Sequence, residues 1–197
     1  FVERALAALV AQGAQITLIA RDWEDGADAD FEKIICRPPS RVAFSGRTGR
    51  DRAFARCVQE TIATRDFDLV QSHERIPGCS IFRAGDGVHA AWLERRAPFL
   101  TPLARYAQRI SPYHRYVLAA ERAMFAHPAL KAVICNSWMI AAEIEKFFGL
   151  DREKLHVIYN GVDTADYHPR LSDVHREETR SRLGIAKDAP LLLYVGS

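Results

Sequence analysis

No run of this chain approaches the ~20 apolar residues that a membrane-spanning helix needs. No GxGxxG follows a strand-like segment, so the usual dinucleotide fingerprint is not visible. A Walker A sequence and a GxSxG elbow are also absent, which removes two common routes to phosphate gripping and serine hydrolysis. Excess charge of one sign is small, +2 at pH 7, and does not argue for nucleic acid. Cysteine is scarce. Cys36, Cys57, Cys79 and Cys135 are widely spaced and form no CxxC pair, so they read as buried free thiols in a reducing compartment rather than as metal ligands or disulfides. No metal site and no cofactor is expected on this basis. The first residue is Phe1, not methionine, so the chain is silent on a leader peptide.

What is present alternates between strand and helix patterns. Phe1 to Ala11 reads as a helix with Leu6, Leu9 and Val10 on one face, Gly13 ends it, and Ile16 to Ala20 is apolar and strand-like. Glu32 to Arg37 reads as a second strand closed by Pro38-Pro39, and Gly49 to Thr64 as a helix burying Phe54, Val58 and Ile62. Further strands are expected at Phe67 to Gln71, Cys79 to Arg83, Ala132 to Cys135 and Leu155 to Tyr159. Pro98, Pro102 and Pro112 break the helical tract from about Ala90 to Ala126. Asn136-Ser137 offers an N-cap for the helix that stops at Gly149. Repeated βα units with apolar strands predict an α/β fold, a Rossmann-like parallel sheet with helices on both faces.

The two ends predict a piece of a longer protein. A doubly wound sheet places a strand and loop before its first helix, and the apolar segment Pro190 to Ser197 has no later strand to pair with. The expected organisation is one Rossmann-like domain over 1–163, a polar linker and short helix over 164–189, and the first strand of a second domain over 190–197.

Ligands of open α/β sheets sit beyond the carboxyl ends of the strands, and three such ends carry suggestive residues. Gly85-Asp86-Gly87 leads to Val88-His89. Flanking glycines permit close approach of a substrate, and Asp86 can accept hydrogen bonds from a sugar hydroxyl; an ordinary turn fits the same residues. His89 is a second polar contact or a plain helix-entry residue. His73-Glu74-Arg75 groups three polar side chains, which a solvated loop with a local ion pair also explains. Asn160-Gly161 is a common turn pair in any protein.

From Leu93 to Arg122 there are six arginines and only two acids, and Trp92, Phe99, Tyr113 and Tyr116 flank the central helical segment at Leu103 to Ile110. Leu103, Tyr106, Ala107 and Ile110 share one helical face, with Arg105 and Arg109 off it. That combination suits the surface of an anionic leaflet. A helix packed on the core with a solvated arginine face is the other reading.

Taken in order, these residues resemble the N-terminal half of a retaining GT-B glycosyltransferase of family 4, similar to the bacterial lipopolysaccharide core glucosyltransferases. The resemblance runs through Val2 to Leu6, the Pro77-Gly78 turn, Ala84-Gly85-Asp86, Ala119 to Phe125, Val133 to Ser137 and Ile158 to Asp163. It implies a nucleotide-sugar donor, a UDP-sugar, bound mainly by a C-terminal domain, with a glycan or lipid-linked acceptor held here. On this resemblance Asp86 is the catalytic candidate. His73, Glu74, Arg83 and His89 become acceptor contacts, and Asn160, Gly161, Gly196 and Ser197 the donor-side hinge. It also implies a cytoplasmic protein, peripheral on the inner membrane, in cell-envelope glycan synthesis. A sugar-nucleotide epimerase of the same architecture, or a non-catalytic Rossmann-like module, shares the pattern.

Overall fold

A computed structural model of the chain describes residues 2–23, 31–38 and 46–194. The chain divides into two compact units, Phe1–Tyr159 and Asn160–Ser197.

In the first unit, α1 (Val2–Ala11) ends at Gly13, whose φ of +83° no side chain adopts easily. Strands β1 (Thr17–Ala20) and β2 (Glu32–Ile35) pair in parallel, Thr17 opposite Glu32 and Ala20 opposite Ile35. Helix α2 (Gly46–Thr64) follows and buries Phe54 and Val58, as its periodicity predicts. A second parallel sheet runs in the order β3 (Gln71–Ser72), β4 (Ile81–Ala84), β5 (Ala132–Cys135), β6 (Leu155–Val157). The α/β architecture is as expected, although among the described residues no ladder joins the two sheets. Packing does join them: Ile76, which follows β3, is buried with Cys36, Phe54 and Val58.

Three α-helices separate β4 from β5: α3 (His89–Arg96), α4 (Pro102–Ile110) and α5 (Pro112–Phe125), with a short 3-10 turn over Ala97–Phe99 after the first. Pro102 and Pro112 each begin a helix, where the missing N–H costs nothing. Thr101 caps α4 by accepting from the Ala104 N–H at 3.3 Å. After β5, α6 (Trp138–Phe148) starts where the Ser137 hydroxyl accepts from the Ile140 N–H at 3.4 Å, and stops at left-handed Gly149. The main core lies between β4, β5 and α3, α5 and α6, around Met124, Val133, Cys135 and Ile144.

Several boundaries move. β3 is shorter than Phe67–Gln71, because the chain first finds a partner at Val70, whose carbonyl accepts from Ser80 and Ile81 at 2.8 and 3.0 Å. That pairing also delays β4 to Ile81. The four free thiols need correction: Cys36 and Cys57 form a disulfide, since the end of β2 rests against α2 with the two Cα atoms 6.0 Å apart. Cys79 and Cys135 are free and buried, and burial pushes both thiols up to about 11, so they stay protonated and inert.

In the second unit, α7 (Arg170–Arg182) carries Arg180, whose nearly buried guanidinium donates to the Ala186 and Ala189 carbonyls. The strand expected from Pro190 is not formed over 190–194. An all-apolar strand needs flanking strands; among the described residues none pairs with it, and Leu192 is 99% exposed. Val195, Gly196 and Ser197 lie outside the described residues, as do Phe1 and Pro39.

Candidate functional site

The loop after β4, residues 85–88, is held by its backbone. Asn136, just after β5, donates its side-chain N–H to the Gly85 carbonyl at 2.7 Å. The Arg75 guanidinium donates to the Gly87 carbonyl at 3.3 Å. Val88 N–H donates to Glu143 at 3.0 Å, and His89 N–H donates to Glu121 at 2.9 Å. These last two are among the first N–H groups of α3, which have no partner inside the helix. Val88 has no side-chain cap to offer. Two carboxylates from other helices therefore cap α3, on the end where its dipole favours negative charge.

Glu121 is 2% and Glu143 6% exposed. A buried carboxylate needs a counter-charge, and each has one: Arg75 donates to Glu121 at 2.8 Å and Arg95 pairs with Glu143. Gly87 comes so close to the Glu143 carboxylate that a Cβ added there would stand 3.0 Å from its oxygen, so a larger residue would force Glu143 to shift. With the backbone fixed on four sides, the Asp86 side chain is left exposed, and it forms no ion pair among the described residues.

His89, three residues further along the chain, sits in an aromatic nest. Its ring stacks on Trp92 with centroids 5.5 Å apart and meets Tyr113 edge-on, while its Nε2 is 3.0 Å from His114 Nδ1. Burial first, then the positive surroundings of His114, Arg75 and Arg47, lower its pKa to about 4. Burial, and then Arg96, also lower that of His114. Both rings are therefore neutral at neutral pH, and one can donate to the other while keeping a nitrogen for a ligand.

The loop after β3 is organised less locally than the sequence suggests. The Ser72 hydroxyl accepts from the Glu74 N–H at 3.1 Å, and the Glu74 carboxylate faces Arg21 at 3.6 Å. Arg75 reaches Glu121 at 2.8 Å, a long-range ion pair in place of the local one that the alternative reading of this loop offered. His73 contacts Gln71 at 3.2 Å; burial, then Arg83, lowers its pKa. Arg83, on β4, also borders Gly85, with 3.5 Å between its guanidinium and a Cβ placed there. His73, Glu74, Arg83, Asp86 and His89 thus all belong to strand-end segments of one unit, as the positions of the loops predict. Asn160 and Gly161 fall in the second unit, both exposed. Glu121, Glu143 and Arg95 were not singled out as site residues from sequence, although a glutamate between Val117 and Met124, at i+4 and i+7 of a buried stripe, was a usable signal.

Among the described residues there is no cluster of His, Cys, Asp and Glu that could hold a metal ion. None of the described helices is long and apolar enough to cross a membrane.

Comparison with known proteins adds the family. The family model described as Glycosyltransferase Family 4 matches residues 1–166. This chain belongs to glycosyltransferase family 4. The family 4 chain is 25% identical over 206 residues to a D-inositol 3-phosphate glycosyltransferase of Jonesia denitrificans, covering 96% of this chain and 47% of that one. It is 23% identical over 194 residues to the lipopolysaccharide glucosyltransferase WaaG of Escherichia coli, covering 98% and 49%. Its fold matches the crystal structure of WaaG, a glycosyltransferase involved in lipopolysaccharide biosynthesis, with a TM-score of 0.73 and 22% identity over all of this chain and 50% of that one. The family 4 chain thus has the fold of one half of a GT-B protein, and it spans about half the length of the relatives it matches.

Proposed function

We propose that these residues form the acceptor-binding half of a glycosyltransferase. The whole protein moves a sugar from a UDP-sugar to a glycan or lipid-linked acceptor, with retention at the anomeric carbon, in lipopolysaccharide core or other cell-envelope glycan synthesis. One observation carries this reading. A glycine-flanked aspartate is presented to solvent at the strand ends by a backbone that two buried glutamates immobilise. Such rigidity serves a group that must meet a substrate in fixed geometry. Asp86 is the catalytic carboxylate in this reading, with His73, Glu74, Arg83 and neutral His89 around the acceptor. The domain runs over 1–163, with a linker over 164–189 and a donor-binding domain beginning near 190. Asn160, Gly161, Gly196 and Ser197 serve the hinge and donor side. Residues 1–197 alone should then transfer no sugar from any nucleotide sugar, while the longer protein should; measurable turnover by 1–197 would end the half-enzyme reading.

Contact with the inner face of the inner membrane is the second part of the proposal. The apolar face of α4 is not packed on the core: Leu103 is 78%, Tyr106 62% and Ile110 53% exposed, with Phe99 at 88% just before it. Arg105 and Arg109 on the same helix are exposed too. An apolar stripe bordered by guanidiniums fits an anionic leaflet. Each basic residue there contributes about 1 kcal/mol, so the loss of two should lower partitioning roughly thirtyfold. Replacing Arg105 and Arg109 with glutamate should therefore abolish flotation with phosphatidylglycerol vesicles, and raised salt should weaken the parent. Flotation indifferent to both changes would make α4 a solvated face only.

A further inference from the structure

A cavity of about 200 Å³ opens between the ends of β1 and β3 and the N-terminal turns of α2 and α5. Four guanidiniums line it: Arg21 after β1, Arg47 and Arg50 on α2, and Arg75 after β3. Only two carboxylates, Asp51 and Glu74, share the lining. Asp51 takes Arg21 at 2.8 Å and lies 3.9 Å from Arg47, and Glu74 takes Arg21 at 3.6 Å. Arg75 spends its Nε on Glu121, outside the lining set. Positive charge is therefore in excess around an open space. Like charges so gathered repel, and an anion relieves that repulsion. Guanidinium is also the group that matches phosphate oxygens two at a time.

Tyr113 and Tyr116 form another part of the wall, giving apolar ring surface with a hydroxyl at each tip. Arg47 already lies over the Tyr113 ring, 4.7 Å from its centroid. The volume falls below the roughly 300–1,000 Å³ of sites that enclose drug-sized ligands. It suits one sugar ring with a charged substituent, not a nucleotide sugar. Arg75 links the cavity to the Asp86 loop, since its guanidinium also holds the Gly87 carbonyl and Glu121, which in turn caps His89.

We infer that this cavity binds the phosphate of a phosphorylated acceptor sugar and thereby orients that acceptor toward Asp86. The inference rests on the acceptor-half reading above and adds the charge class of the acceptor.

Titration of the protein with glucose 6-phosphate, glucose, inorganic phosphate and UDP tests it without any transfer step. Glucose 6-phosphate should bind, and glucose should not. The double variant Arg47→Ala/Arg50→Ala should lower affinity for glucose 6-phosphate at least about tenfold per guanidinium lost. Arg47→Lys/Arg50→Lys should keep part of it, and Arg56→Ala, exposed elsewhere on α2, should bind like the parent. Circular dichroism confirms that each variant is folded. No binding of glucose 6-phosphate by the parent, or unchanged binding by the folded double alanine variant, would overturn the inference. Inorganic phosphate binding as tightly as the sugar phosphate would remove the sugar from it. UDP binding as tightly, with the same dependence on Arg47 and Arg50, would assign the cavity to the donor and overturn it. Arginine-dependent sugar phosphate binding by a protein whose longer form transfers nothing would leave the subsite standing and sink the transfer reading.

Discussion

Replacing Glu121 with alanine should lower the free energy of unfolding by about 3–5 kcal/mol, the cost of removing one partner from a buried ion pair. The carboxylate is almost wholly enclosed, and three groups depend on it: the Arg75 guanidinium at 2.8 Å, the His89 N–H at 2.9 Å and, through Arg75, the Gly87 carbonyl. Without it, a half-buried cation loses its counter-charge and the first turn of α3 loses an acceptor. Against a typical domain stability of about 5–15 kcal/mol, that is a large share. Urea denaturation should show the midpoint falling steeply. Glu121→Gln keeps an oxygen for His89 but not the charge, and should lose less. The double variant Glu121→Ala/Arg75→Met should also lose less than Glu121→Ala alone, because no orphan charge remains. A loss below about 1 kcal/mol for Glu121→Ala would show that water already replaces the carboxylate.

The opposite profile is expected at Asp86. Its carboxylate is exposed and pairs with nothing among the described residues, so alanine there should leave the thermal midpoint of the longer protein nearly unchanged. Transfer should nevertheless fall by about 10²–10⁴, the usual share of a positioned acid or base. Asp86→Asn separates the two roles open to this group. It retains hydrogen bonding to a sugar hydroxyl but gives up the charge, so rate loss equal to that of alanine would point to charge or proton transfer. Normal transfer per folded molecule in Asp86→Ala would reduce the residue to a turn.

The parts of this fold that can be read from sequence are those whose causes are local. Ser137 and Gly149 bracket α6 because a hydroxyl cap and a left-handed stop act within one turn. Pro102 and Pro112 announce helix starts for the same reason. The capping of α3 could not be read this way, because Glu121 and Glu143 lie 32 and 55 residues from the N–H groups they accept from. The Cys36–Cys57 disulfide was missed because no spacing rule encodes the approach of β2 to α2. Periodicity found the apolar face of α4 but said nothing about what covers it, and within the chain that face is exposed. Asp86 stood out from its glycines, yet nothing in the sequence distinguished a turn from a rigidly presented carboxylate.

Product analysis of the longer protein by proton NMR, with a UDP-sugar present and a lipid-linked or glycan acceptor added or withheld, tests the central claim most directly. The account predicts release of UDP only when acceptor is present, together with a new glycoside whose anomeric configuration is that of the donor. Conversion of the nucleotide sugar to an epimer without acceptor, or a folded protein that leaves every donor unchanged in the presence of acceptor, would contradict it.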